Sequence, residues 1–279
     1  MYDDFTVGAT LPPLPSVTLT DADNAIYRAV TGDQHALAAD AELYAAASGR
    51  SGRLANPALV MQFSIGQTTM ATRQAIANLY YRSVRIHAPV EVGQRLTTTT
   101  TVLGMKDSAP KGDQHRGKVW LGITTEADGE PVITYERCAL IRGRSQPGAS
   151  DDIPGPSDPS PLDDVGSAVP DWSLDRLITT DWETGDERVD PLRDHIDLAA
   201  PLARLTFNQA AVHRDITTTA NGRRLVYGGH VQGLAHASLT RMLPGLATVV
   251  AWDGCDHLAP AYEGDLVEFR HRLVERAAT

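Results

Sequence analysis

The sequence predicts an α+β protein built in duplicate, with two antiparallel sheets each wrapped around a long buried helix. Three observations carry this expectation. First, a faint internal repeat runs through the chain with an offset of about 172 residues, from Asn56 to Gly228. Asn56-Pro57-Ala58-Leu59-Val60, an apolar run and His87-Ala88-Pro89 with Gly93 are answered by Gly228-Gly229-His230-Val231, an apolar run and His257-Leu258-Ala259-Pro260 with Gly264. A period of that size means two copies of one domain, because solenoid repeats run to roughly 20–50 residues. Second, each copy places one helical run ahead of several strand-like runs. Helices and strands therefore do not alternate, which argues against βαβ units. Third, residues 144–170 are rich in Pro, Ser, Gly and Asp and nearly free of bulky apolar side chains. Such a composition cannot bury enough surface to offset chain entropy, so it reads as a linker or mobile crossing loop between 1–143 and 171–279.

The elements follow in order. Asp23 to Val30 reads as a short helix capped by Asp21 or Asp23, and Asp40 to Ala47 as a second. Residues 57–72 are apolar on nearly every face, as a fully buried helix would be, and Pro57 suits its first turn. The runs 79–87, 95–104, 117–126 and 132–142 read as strands. Threonines 97–101 favour a pleated sheet, where β-branched side chains pack well. In the second half, 230–243 is the matching buried helix, and 246–252 and 265–275 match the strands.

Composition narrows the function classes. The chain has 279 residues, 42% hydrophobic and 22% charged, which suits a soluble protein with a packed core. A net charge of −10 argues against a nucleic-acid surface. Cys138 and Cys255 lie far apart with no CxxC, so neither a disulfide framework nor a zinc site is expected. No run of 18 apolar residues suggests a membrane span, and the acidic, Pro-rich start resembles no signal peptide. A cytoplasmic enzyme or binding protein is the resulting expectation. The sequence carries no G-x-S-x-G elbow, Walker A loop, Rossmann fingerprint or H-E-x-x-H.

Four segments carry a family resemblance. They are Thr31-Gly32-Asp33-Gln34-His35-Ala36-Leu37, Ala77-Asn78-Leu79-Tyr80-Tyr81 with Val84-Arg85 and Ala88-Pro89, Arg204 to His213, and Tyr227-Gly228-Gly229-His230. In this order they resemble the MaoC-like hydratases with a double hotdog fold. Within that family the likeness is to the branch acting on branched or dicarboxylic acyl-CoA thioesters such as mesaconyl-CoA. The resemblance implies addition or removal of water across the 2,3-double bond of an acyl-CoA, without metal or redox cofactor. The family motif sets an Asp five positions before a His. Here Asp33 is followed at that spacing by Ala38, and His213 is preceded by Asn208, so neither half has both.

The roles implied are His213 as general acid/base and Asn208 as the residue that holds water in line. The helix start at Gly229, His230 and Val231 would supply amide donors to the thioester oxygen. Asp33 would be a relic or a substrate contact. His35, His87 and His257 read mainly as architecture. Only the second half would carry chemistry, the first completing the substrate tunnel. Arginines 204, 214, 223 and 224 either meet CoA phosphates or a substrate carboxylate, or form a solvated face. Two other readings stay open: a hotdog thioesterase, and an acyl-CoA-binding protein that has lost catalysis. Monomer and homodimer are both compatible with two fused copies.

Overall fold

The computed structural model describes residues 1–73, 75–157, 165–219 and 221–276. Its helices are α1 Asp21–Thr31, α2 Ala36–Ala39, α3 Ala41–Ser48, α4 Pro57–Gln67, α5 Thr69–Thr72, α6 Val165–Ala168, α7 Ala199–Leu205 and α8 Gly228–Met242. The strands are β1 Val17–Thr18, β2 Ala75–Ile86, β3 Arg95–Lys111, β4 Gln114–Ala127, β5 Glu130–Gly143, β6 Glu187–Val189, β7 Asp194–His195, β8 Ala251–Asp256, β9 Leu266–Val267 and β10 Arg270–Arg272. None of the described helices is long and apolar enough to cross a membrane.

Every residue of α4 is buried, as its all-round apolar sequence requires. Asn56 caps it by accepting from the Ala58 and Leu59 amides, with Pro57 in the first turn. The helix packs on a main core cluster that includes Leu96, Val119, Leu121 and Ile123 from the sheet. The first helix is capped by Thr20, with Asp23 closing the capping box, rather than by Asp21 or Asp23.

The expected antiparallel sheet is present, but its strands are not divided as one sheet per half. One antiparallel sheet of six strands runs in the order β1-β3-β4-β5-β2-β8. Strand β8 comes from the second half and pairs with β2 of the first, so the sheet crosses from one half into the other. The remaining described strands of the second half form two ribbons, β6 with β10 and β7 with β9. The expected strand at 246–252 begins at Ala251, and that at 265–275 breaks into two short pieces. The second long helix, α8, packs against α4 but keeps a partly exposed face.

The Pro/Ser-rich stretch is docked along its first part. The Asp107 amide donates to Ala149 O and the Asp151 amide to Met105 O. Farther on, the Tyr80 hydroxyl donates to Pro154 O and Arg82 to Gly155 O. All four acceptors are backbone carbonyls, which a scarcity of apolar side chains does not reveal. Residues 158–164 of the expected linker lie outside the described residues.

Candidate active site

The duplication is visible in hydrogen bonds. Thr31, Gly32, Asp33 and Gln34 correspond one for one to Thr206, Phe207, Asn208 and Gln209. Thr31 Oγ1 donates to Tyr27 O, and Thr206 Oγ1 to Leu202 O, both four residues back. Gly32 and Phe207 are both left-handed, at φ 69° and 60°. Asp33 Oδ1 accepts from the His35 amide, and Asn208 Oδ1 from the Ala210 amide. The Gln34 amide donates to Thr240 on α8, and the Gln209 amide to Thr69 beyond α4. Each half thus lays its loop across the helical segment of the other.

The two loops then diverge. Four residues before Thr240 stands His236, whose Nδ1–H donates to Asp33 Oδ2 at 2.6 Å. Four residues before Thr69 stands Ile65, which offers Asn208 nothing ionisable. Asp33 also accepts from Asn56 Nδ2 at 2.9 Å. Its side chain is fully enclosed, so the carboxylate is engaged in joining α8 to the cap of α4 rather than open to a substrate. Burial pulls its pKa up, but the bonds from His236 and the His35 amide outweigh that and leave it lowered. His35 stacks on His236 with ring centroids 5.9 Å apart, and burial holds it down to about 4.

The second half gathers a different set. A 3-10 turn, Ala211–His213, aims His213 back at the strand-like segment leading into α8. His213 Nδ1 lies 2.8 Å from Leu225 O. A carbonyl only accepts, so Nδ1 carries the proton and Nε2 keeps its lone pair. Burial, opposed by that bond and aided by the Arg137 charge, lowers the His213 pKa to about 4. At neutral pH the ring is therefore a neutral base. It packs at 5.8 Å from the Tyr227 ring. The Tyr227 hydroxyl donates to Gln62 Oε1 on α4. Asn208 is buried, with its amide oxygen taken by Ala210. What it can offer a ligand is Nδ2–H, a donor that cannot accept a proton.

Of the helix-start amides expected to face a ligand, that of His230 is engaged within the helix. The His230 amide is taken by Tyr227 O at 2.9 Å, a three-residue bond that tightens the first turn of α8. The amides of Gly228 and Gly229, at the first two helical positions, have no intrahelical acceptor. Side chains crowd both glycines. A Cβ on Gly228 would lie 2.0 Å from the His257 ring, and one on Gly229 2.2 Å from the Tyr227 ring. The His230 ring is buried and its pKa lowered to about 4 by desolvation. Val231 packs on the small core of Ile196, Ala199, Val226 and Leu234. Of the clustered arginines, Arg223 pairs with Asp265 and Arg224 with Glu263, so both are committed within the protein.

Several members of this cluster were not singled out as site residues by the sequence. Gln62 sits between Met61 and Phe63 in the middle of α4. Tyr81 on β2 meets His257 edge-on at 5.5 Å. Arg137 on β5 lies over the same Tyr81 ring at 5.5 Å and donates to Thr68 Oγ1 at 2.6 Å. They converge from the first half, far in sequence from the Asn208–His213 loop.

A helix-filled sheet continued into a second helix-bearing half, with matched loops, defines a double hotdog protein. The MaoC like domain model matches residues 4–121. A conserved hypothetical protein of Mycobacterium tuberculosis, described as having a double hotdog fold, superposes with a TM-score of 0.89. It is 37% identical, over 100% of this chain and 87% of that one. Mesaconyl-CoA hydratase of Cereibacter sphaeroides is 28% identical over 100% of this chain and 84% of its own length. Beta-methylmalyl-CoA dehydratase of Chloroflexus aurantiacus is 27% identical over 95% and 79% respectively. The chain belongs to the MaoC-like double hotdog family.

Proposed function

We propose that the protein is a hydro-lyase that adds or removes water across the 2,3-double bond of an acyl-CoA thioester. The observation that carries this reading is a neutral His213, its Nδ1 held by Leu225 O, packed on Tyr227 at the start of α8, where the Gly228 and Gly229 amides have no intrahelical acceptor. In the hydration direction, His213 Nε2 takes a proton from water as the oxygen attacks the β-carbon. The Gly228 and Gly229 amides, with the positive end of α8, receive the negative charge that grows on the thioester oxygen. The protonated His213 then returns a proton to the α-carbon. Asn208 Nδ2 holds the water or the thioester oxygen in line. Proton transfer alone completes the addition, so the reaction as read calls for neither a metal nor a redox cofactor.

The chemistry falls to residues 171–279, and residues 1–143 wall the substrate site with Gln62, Tyr81 and Arg137. A branched or dicarboxylic acyl group fits the names of the full-length relatives. The reading carries with it an acyl-CoA partner rather than a nucleic acid, a cytoplasmic setting, and a monomer or homodimer. The test is incubation with crotonyl-CoA and mesaconyl-CoA while enoyl-thioester absorbance and free thiol are followed together. Absorbance lost without thiol supports hydration. Thiol released at the same rate would make the protein a thioesterase, and binding without either change would make it a non-catalytic acyl-CoA carrier.

A further inference from the structure

Arg137 takes no part in the proposed proton transfers. It is 5% exposed. Buried arginines are seldom left without an acid, because desolvating a cation is costly unless an anion or a full set of acceptors replaces water. Among the described residues no carboxylate lies within ion-pair reach of Arg137, although other arginines of the chain, Arg82 and Arg241 included, have one. Its Nε donates to Asn78 Oδ1 and one terminal nitrogen to Thr68 Oγ1. The other terminal nitrogen donates to none of the described residues. The C-terminal end of α4 and the Tyr81 ring face offset part of the charge, but neither is an anion.

The place of this guanidinium in the fold is informative. Thr68, which holds the guanidinium, adjoins Thr69, which accepts the Gln209 amide at 2.9 Å beside Asn208. Tyr81, under the guanidinium, meets His257, and the His257 ring packs against Gly228. The cation is therefore linked through Thr68 and Thr69 to the Asn208–His213 loop, and through Tyr81 and His257 to the start of α8. Resting on the hydro-lyase reading, we infer that Arg137 is the specificity residue of this site and binds the free carboxylate of a dicarboxylic enoyl thioester. A carboxylate on the β-carbon lies three bonds from the thioester carbonyl, so one ligand can reach the α8 amides and Arg137 together. The guanidinium fork matches a carboxylate in a way an ammonium does not.

The test compares mesaconyl-CoA with tiglyl-CoA, which has a methyl group where mesaconyl-CoA has its carboxylate. Dissociation constants and turnover are measured separately for wild type, Arg137→Gln and Arg137→Lys. Wild type is expected to bind mesaconyl-CoA about 10²-fold more tightly than tiglyl-CoA, as loss of one partner of a buried charge pair implies. Arg137→Gln should abolish that preference, the loss falling mainly on mesaconyl-CoA, while Arg137→Lys keeps a reduced preference. Should the Gln variant fail to fold, the wild-type preference and its reduction in the Lys variant still decide. Equal wild-type affinities, a preference that survives in Arg137→Gln, or equal losses for both ligands would overturn the inference and make Arg137 a structural cap of α4. Preferential binding without hydration of either thioester would leave the inference standing and remove the hydro-lyase reading. Hydration with no preference would do the reverse.

Discussion

At the scale of single residues, the second loop is built around a base that is kept neutral. His213 is expected to be essential: His213→Gln should lower hydration by about 10²–10⁴-fold with unchanged circular dichroism. Because its pKa is held at about 4, the acid limb of kcat/KM should fall near pH 4 rather than near the ordinary histidine value. A limb at 6.5 would show that another group titrates. Asn208 leads to a second expectation. Asp33 is tolerated in the first loop because His236 faces it. The corresponding position opposite Asn208 is Ile65, so Asn208→Asp would bury a carboxylate with only the Ala210 amide to meet it. Burial would then raise the new pKa, and the cost relative to wild type should grow as pH climbs through the carboxylate range. Urea titrations at several pH values measure this, and hydration should not rise. His213 and Asn208 were legible because they lie five residues apart on one loop. Gln62, Tyr81, His236 and Arg137 were not, because no local spacing ties a residue on β5 or mid-helix to a loop in the other half.

At the scale of elements, the sequence announced α4 clearly, since a run apolar on every face has only one place to go. It also located the four long strands of the first half, though each extends beyond its most apolar stretch because the sheet ladder continues through polar residues. The short strands of the second half were blurred by the same rule: two- and three-residue pairings leave no period to read. What the helical run did not show is why it contains Gly66. A Cβ there would lie 1.7 Å from Thr206 O, so the glycine lets the second loop sit directly on α4. Helix propensity alone would favour Gly66→Ala by about 1 kcal/mol. The expectation is the opposite, a loss of roughly 1–3 kcal/mol in chemical denaturation, because backbone must move to admit the methyl group. Phe207 shows the same constraint from the other side. It holds a left-handed conformation that Gly32 adopts freely, and packs edge-on against Phe63 of α4.

At the scale of the whole molecule, the repeat revealed that there are two halves but not how they are joined. The joint runs through pairings between distant segments: β8 on β2, Gln34 on Thr240, Gln209 on Thr69, and the Asp33–His236 bond. Much of this interior is lined with histidine, which makes the assembly sensitive to acid. His35, His213, His230 and His257 are each lowered to about 4, in every case mainly by burial. Between the ordinary histidine pKa of about 6.5 and pH 4 the unfolded chain binds more protons at these sites than the folded one, so stability rises with pH. Unfolding free energy should therefore be steady above neutrality with respect to these rings. It should decline as pH falls from about 6.5 toward 4, by up to about 1.4 kcal/mol per pH unit for each ring. His230 isolates one contribution. Its ring is buried and its Nδ1 has no hydrogen-bond partner among the described residues, so His230→Leu removes a titrating group without breaking a described side-chain bond. The variant's plot of unfolding free energy against pH should be shallower than wild type by about one ring's share in the same window. An unchanged slope would mean that His230 is not held neutral in the folded protein.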